Sequence, residues 1–238
     1  MLRKFAGTGR WMAASASLIA LARCSGGTEP STFTENVDVT VCDPTRAGFT
    51  SEISNPYFPL PVGATLVLDG VEEGAAVHLV ITALDQTEDV AGVATRVMEE
   101  RESQDGALIE VSRNFLAQTP DGTVCYFGED VDLYQGGVIV GHEGQWRAGV
   151  ANALPGILMP GSPTAGMAFR EERAPGVAED RAEIAAAGES VSVPAGTFTS
   201  TLRFVETTPL ESGQSVKIFA QDIGLIVDDA ERLTSKTP

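Results

Sequence analysis

The chain has 238 residues and a formal net charge of −17 at pH 7, with 33 acidic side chains against 16 Lys and Arg. A charge of this sign argues against nucleic acid as a partner and against adhesion to anionic lipid through basic contacts. The length and a hydrophobic content of 43% allow one domain with a full core.

An export signal opens the sequence. Arg3, Lys4 and Arg10 precede an apolar run over residues 11–22, which is the pattern of a secretion signal. The apolar run is too short for a permanent transmembrane helix. We therefore predict a signal peptide over residues 1–23. Its removal takes away four basic residues and no acidic one, so the net charge of the mature chain becomes −21.

Two processing sites fit the end of this signal. Residues 21–24 resemble a bacterial lipobox, in which Cys24 is acylated and becomes the new N-terminus, although Arg23 departs from the small residue of that pattern. Residues 20–22 also fit ordinary signal peptidase, which would release a soluble secreted protein. We expect a lipoprotein, anchored by Cys24 to a membrane of the cell envelope, with a flexible tether over residues 24–38 and a β domain over residues 39–238.

Two further cysteines, Cys42 and Cys125, form an even pair once Cys24 is set aside. In an oxidising compartment they form either a disulfide or two separate buried thiols, and the sequence leaves both alternatives open. Their spacing fits no zinc motif, and we predict no cofactor.

The segment 55–61, NPYFPLP, cannot form a helix or a central strand, and its aromatic residues are expected to plug one end of a sheet. From Ala64 onward, apolar and polar residues alternate with a period of two, which indicates strands with one face on a core. The apolar positions include Val77, Leu79, Ile81, Ala83, Ile109, Val111, Phe115, Leu202, Phe204, Val216, Ile218 and Ala220. Turn signals separate these segments at 69–70, 105–106, 121–122 and 136–137, and helical periodicity is best, though ambiguous with strand, at 178–187.

The alternation breaks at residues 144–167, a Gly- and Pro-rich segment with many large apolar side chains. Because loops normally face water, this segment either covers the open end of the sheet as a lid or packs as irregular core. We expect Trp146 to be buried. With Leu154, Ile157 and Met159 it either lines a pocket for an apolar ligand or fills the core. The predicted fold is mainly β: a single antiparallel meander forming a strongly curved sheet or half-barrel, with this loop over one face.

Several motifs resemble a group of bacterial envelope proteins without an assigned activity, many of which carry lipoprotein signals. These motifs are NPYFPL (55–60), YFGED (126–130), GQWRAGVANALPGILMP (144–160), AED (178–180) and VPAGTF (193–198). The end of the chain is also similar to periplasmic proteins with a curved antiparallel sheet like that of the outer-membrane lipoprotein carriers. That resemblance implies a concave half-barrel able to hold an acyl chain. Cys125, Phe169 and residues 221–222 depart from the motifs, and the resemblance supplies no catalytic residues.

The remaining candidates for chemistry are weaker. Glu129, Asp130 and Asp132 are the best candidates for a calcium site, but they fall short of a full coordination sphere, and an acidic strand edge is the simpler interpretation. His142, next to Glu143, could act as a base, although neighbours on a strand point to opposite faces, and His78 lies mid-strand. The acidic pairs at 171–172 and 179–180 could serve glycoside hydrolysis, but such pairs arise freely in so acidic a chain.

We therefore predict a non-enzymatic envelope protein that binds an apolar ligand, such as a lipid, in the concave face of its sheet. The alternatives are a calcium-stabilised structural or interaction domain and, less favoured, a hydrolase of unknown substrate.

Overall fold

The computed structural model describes residues 33–237, and strands dominate it. After a short 3-10 helix at Val39–Cys42, the first strands are β1 (Ile53–Asn55), β2 (Phe58–Leu60), β3 (Thr65–Glu72), β4 (Ala75–Val90), β5 (Val93–Gln104), β6 (Ala107–Gln118) and β7 (Val124–Gln135). Five follow: β8 (Val138–Gly141), β9 (Trp146–Arg147), β10 (Gly156–Met159), β11 (Ala168–Arg170) and β12 (Arg181–Ala187). The last are β13 (Val191–Val193), β14 (Gly196–Phe198), β15 (Thr201–Thr207), β16 (Ser215–Ala220), β17 (Gly224–Asp228) and β18 (Glu231–Thr237).

Fourteen of these strands form one antiparallel sheet. Strands β3 to β7 follow one another as hairpins, and so do β15 to β18. The last strand, β18, lies between β17 and β3 and joins the two series. The predicted antiparallel meander is confirmed, and within residues 33–237 the 3-10 helix is the only helical segment.

The sheet curves so strongly that its two ends meet. Strand β10 lies at one end and β11 at the other, yet the Leu154 N–H donates to the Arg173 carbonyl oxygen at 3.1 Å. An added Cβ on Gly156 of β10 would stand 2.2 Å from the Glu171 carbonyl oxygen, just after β11, so the two backbones touch there. The concave face therefore encloses the interior of the protein.

The hairpin of β1 and β2 closes one end of this interior. The Asn55 amide donates to the Pro160 carbonyl oxygen at 3.0 Å, and the Phe58 ring reaches the Phe219 ring, at a centroid distance of 6.2 Å. Phe219 in turn packs against Phe204 at 4.9 Å. The aromatic plug predicted from the Pro-rich segment is thus present, and it identifies the face that carries Phe204 and Phe219 as the concave one.

A disulfide fastens the start of the domain to the sheet. Cys42, at the end of the 3-10 helix, and Cys125, in β7, are joined with a Cα–Cα distance of 5.6 Å, and neither residue is exposed. The sequence left open a disulfide or two separate thiols, and the structure contains the disulfide.

Three predicted turns are present, and the prediction of a turn at Asp69-Gly70 is wrong. These two residues lie inside β3, and the chain turns instead at Glu73-Gly74, where both residues have positive φ. Gly70 serves close packing, because a Cβ there would stand 2.6 Å from the Ala230 carbonyl oxygen. The three turns that agree are at 105–106, 121–122 and 136–137.

The structure decides one ambiguity and moves one boundary. Most of the ambiguous segment 178–187 is strand, because β12 covers Arg181–Ala187 and pairs with β11 and β15. The end of the predicted tether belongs to the fold, because Asn36 exchanges hydrogen bonds with the Ala168 backbone and Glu35 forms an ion pair with Arg170.

Within residues 33–237, no helix has the length and hydrophobicity needed to cross a membrane. The predicted signal peptide, Cys24 and the first part of the tether lie outside the described residues.

Candidate functional site

The apolar segment 144–167 adds to the sheet, because β9 and β10 within it pair with β7. Ile157 and Met159 have no exposed surface and belong to the core. Leu154 is 47% exposed, so it does not line an interior pocket as predicted; its backbone bonds to Arg173 at the closure of the sheet, and its side chain faces out. Nothing in these positions tests binding of an apolar ligand, which stays a prediction.

Trp146 is buried, as predicted, with 5% of its surface exposed. It pairs in register with Glu129 of β7, and its ring meets the Tyr126 ring edge-on at 5.3 Å. Within the described part of the chain, its indole Nε1 is buried without a hydrogen-bond partner. A buried N–H donor without an acceptor is uncommon in native proteins and calls for an explanation.

The predicted calcium ligands do not converge. Glu129 is buried beside Trp146, whereas the Asp130 carboxylate binds Arg147 at 2.7 Å and Asp132 accepts from Arg113 at 3.2 Å. Over residues 33–237, no three His, Cys, Asp or Glu side chains are grouped so as to hold a metal ion.

Both histidines pair with carboxylates at the surface. His78 Nδ1 lies 2.7 Å from Asp69, and His142 Nδ1 lies 3.1 Å from Asp132; about half of each His side chain is exposed. The same His142 nitrogen lies 2.7 Å from the Val131 carbonyl oxygen, so both of its partners are in β7, and Glu143 is not the neighbour that orients it.

The side chains of the two predicted acidic pairs, at 171–172 and 179–180, are not all in one place. Glu171 and Glu172 are buried at the closure of the sheet. Asp180 is also buried and lies opposite them, since its carbonyl oxygen accepts hydrogen bonds from both of their N–H groups. Glu179 points instead into a turn, where it accepts from the Gly176 N–H at 2.8 Å.

The concave face also carries a buried charged group that periodicity did not predict. In β16, Lys217 pairs in register with Phe204 of β15 and with Asp228 of β17, so its side chain shares their face. Its Nζ donates to the Glu206 carboxylate at 2.7 Å, and 6% or less of either residue is exposed. Ser215 also donates to this carboxylate, at 3.2 Å.

Further acids act on this pair from other strands. Glu171, beyond β11, and Glu100, in β5, both lie within electrostatic range of Lys217. We name Glu100, Glu171, Glu206, Lys217 and Asp228 the Lys217 cluster. Because β5 and β16 are far apart in the order of strands, the cluster spans the interior and belongs to no single hairpin.

The cluster shifts the pKa values of its members in opposite directions. Burial, reinforced by the charge of Glu206, raises the pKa of Glu171 to about 8, and burial raises the pKa of Glu100 to about 7. Burial is the largest single effect on Glu206 and opposes its ionisation, but the pKa of that carboxyl is lowered overall, and the charge of the Lys217 ammonium is the largest of the effects that lower it. The pKa of Lys217 is raised by Glu206, against the effect of its own burial. Buried groups perturbed in this way cluster at functional sites, although structural ion pairs also produce them.

One carboxylate oxygen of Asp228 accepts no hydrogen bond from the described residues. Only 7% of the residue is exposed, and within residues 33–237 its Oδ1 is buried and accepts no hydrogen bond. The Lys217 Nζ, its neighbour across the strand pair, donates to Glu206.

Register explains why the sequence did not reveal this group. The alternation favoured Val216, Ile218 and Ala220 as the concave face of β16, but the pairing of Lys217 with Phe204 places the other set there. In β6 the predicted face is likewise reversed. Ser112 of β6 pairs with Glu100 of β5, and Glu100 pairs with Ile81 of β4, so Ser112 shares the concave face with them. The signal available in the sequence was a lone lysine between apolar residues, in SVKIFA.

Comparisons with known proteins identify no family and no activity for this chain. No protein-family model matches the sequence, and no curated protein matches it. Among solved structures, the chain is similar to a "putative lipoprotein" from Parabacteroides distasonis, with 11% identity and a TM-score of 0.37 over 77% of this chain and 99% of that one. A similarity this low carries no argument about activity.

Proposed function

We propose that this chain is an exported protein of the cell envelope, anchored by lipid at Cys24, whose curved sheet binds a ligand on its concave face. The observation that carries the binding proposal is the buried Glu206–Lys217 pair with its surrounding acids. Removing charged groups from water costs several kcal/mol for each ion, and well-packed apolar residues would stabilise the fold as well or better. A binding role explains why charged groups occupy part of this interior.

Export is supported by two features that are independent of each other. The first is the basic and apolar signal at the start of the sequence. The second is the bridge between Cys42 and Cys125, since disulfides persist in oxidising compartments and are rare in the cytosol.

The calcium-stabilised domain is not favoured, because the described residues hold no grouped metal ligands. The hydrolase is not favoured either, because both His–carboxylate pairs are at the surface.

Acylation is tested by metabolic labelling. Labelled palmitate should enter the wild-type protein and be absent from Cys24→Ser, because the thiol is the acceptor of the lipid. Cys42→Ser should still be labelled and serves as the control for a missing cysteine. Label that persists in Cys24→Ser would overturn the lipid anchor.

Binding is tested by native mass spectrometry of the protein purified from the envelope. We expect a species heavier than the processed polypeptide, with an excess mass that collisional activation removes, because a non-covalent ligand leaves before any covalent bond breaks. The same protein, refolded from denaturant in plain buffer, should lack this excess and is the control. Identical spectra for the two samples, each showing only the processed polypeptide with or without acyl chains, would contradict the proposal.

A further inference from the structure

A cavity of about 250 Å³ lies between the start of the domain and the turn that joins β6 to β7. Residues within 41–49 form one wall, and residues 119–121 form the other. The disulfide binds the first wall to Cys125, the neighbour of Tyr126 in β7, and Tyr126 hydrogen-bonds Asn114, which is on the concave face with Ser112. Because adjacent residues of a strand face opposite sides, the cavity is on the convex side of the sheet, and we name it the convex cavity.

The two walls of the convex cavity are fixed to each other. Thr50 and Gln118 exchange two backbone hydrogen bonds, of 2.9 and 2.8 Å, next to it. Gly48 has a φ of +94° and lies so close to Pro120 that an added Cβ would stand 2.8 Å from the Cγ of that ring. The cavity is therefore formed before a ligand arrives, which spares the ligand the cost of ordering the protein.

The lining of the cavity is mostly apolar and carries one charge of each sign. Val41, Phe49 and Pro120 supply apolar surface, and Arg46 and Asp121 supply the charges. A mainly apolar wall with a few polar groups that fix the orientation is the usual form of a site for a small molecule.

The Arg46 guanidinium is available to an anionic group. The residue is exposed, and its side chain donates to the Thr40 carbonyl oxygen at 3.1 Å. Within residues 33–237 it forms no ion pair, so most of its N–H donors are not used by the protein. A guanidinium can hold a carboxylate through two parallel hydrogen bonds, which fix the orientation of that group.

The Asp121 carboxylate adds a negative charge to the same cavity. One of its oxygens accepts from the Thr119 hydroxyl and, at 3.1 Å, from the Thr123 N–H. The hydrogen bond from Thr119 lowers the pKa of Asp121, so the carboxylate is ionised at pH 7. These bonds leave its second oxygen unused, and among the described residues Asp121 and Arg46 form no ion pair with each other.

The two charges disfavour simple ions as ligands. An organic anion would meet Asp121 and the net charge of −17, and an organic cation would meet Arg46. A molecule that carries both charges meets an opposite partner on each side. The cavity is also below the range of about 300–1,000 Å³ that is typical of ligand pockets, so its ligand must be small.

We propose that the convex cavity binds a small zwitterion with an apolar side chain, of the chemical class of the free apolar amino acids. The carboxylate of the ligand binds Arg46, its ammonium group binds Asp121, and its side chain packs against Phe49 and Pro120. This activity goes beyond the proposed function, because the cavity and the concave face are on opposite sides of the sheet.

The test is isothermal titration calorimetry at pH 7 on the processed protein after dialysis, with L-leucine as the probe. L-leucine should bind, and three analogues should each bind at least ten-fold more weakly. N-acetyl-L-leucine lacks the ammonium group, L-leucinamide lacks the carboxylate, and glycine lacks the apolar side chain. Absence of L-leucine binding, or equal binding of L-leucine and any one of these analogues, would overturn the proposal.

Variants locate the site. Arg46→Met and Asp121→Asn should each weaken L-leucine binding at least ten-fold, and Ala47→Phe should abolish it by filling the cavity from an exposed position of the lining. Arg101→Met removes an exposed arginine of β5 and should bind as the wild type does. If Asp121→Asn does not fold, the other two cavity variants, both at exposed positions, give the same comparison. Wild-type affinity in Arg46→Met and Ala47→Phe would show that L-leucine binds elsewhere and would contradict the assignment.

Discussion

Lys217→Met should lower the free energy of unfolding at pH 7 by about 3–5 kcal/mol, the cost of leaving the partner of a buried ion pair unpaired. Glu206 would keep its buried carboxylate and lose the ammonium group 2.7 Å away. Chemical denaturation of the processed protein measures the change. Lys236→Met removes an exposed lysine of β18 and should change the free energy by no more than about 0.5 kcal/mol.

The loss of unfolding free energy in Lys217→Met should also depend on pH. In the wild type, the lowered pKa of Glu206 contributes stability above the ordinary pKa of a glutamate, and this contribution is lost as the pH falls toward 2. Without Lys217, burial raises the pKa of Glu206 above the ordinary value, so protonation then favours the folded state. Lys217→Met should therefore be least harmful near pH 4–5 and most harmful at pH 7–8. If Lys217→Met were as stable as the wild type at pH 7, the ammonium group would not be needed to stabilise the buried Glu206 carboxylate.

Loss of the disulfide should be comparably severe. The cysteines are 83 residues apart, and in the chain-entropy model a loop of that length is worth about 4–5 kcal/mol. We expect Cys42→Ala/Cys125→Ala to unfold at a clearly lower denaturant concentration than the wild type, when both are measured without reductant.

Reductant supplies the matched control for the bridge. Dithiothreitol should lower the unfolding midpoint of the wild type toward that of the double variant, and it should leave the double variant unchanged. Cys24→Ser, which keeps the bridge, should respond as the wild type does. Equal midpoints for the oxidised wild type and the double variant would mean that the bridge does not stabilise the fold.

The strands and most turns could be predicted because their causes are local. Alternating side chains define a strand wherever they occur, and the pairs at 105–106 and 136–137 adopt the positive φ that tight hairpin turns require. Gly70 was misread, because a glycine needed for close approach looks the same in sequence as one needed for a turn.

The charged interior could not be predicted, because strand phase is not a local property. In β6 and β16 both faces are covered, so that Val111 and Ile218, which face away from the Lys217 cluster, are buried as well. A period-two pattern then fits either phase, and only the register with neighbouring strands decides between them. The meeting of Glu100 with Lys217 depends further on the curvature of the whole sheet.

The position of β18 has a consequence for how the chain would acquire its structure during the proposed export. Its Thr234 hydroxyl donates to the Val67 carbonyl oxygen across 167 positions of sequence, and within residues 33–237 no other strand links β3 to β17. If the chain is exported as proposed and crosses the membrane N-terminus first, β18 crosses after the other strands of the described residues. The sheet then cannot be completed before β18 has crossed, and until that moment the edge of β3 is unpaired outside the membrane. Such long-range pairing is slow, and an open edge invites aggregation, so this interval is when the protein most needs protection by a chaperone.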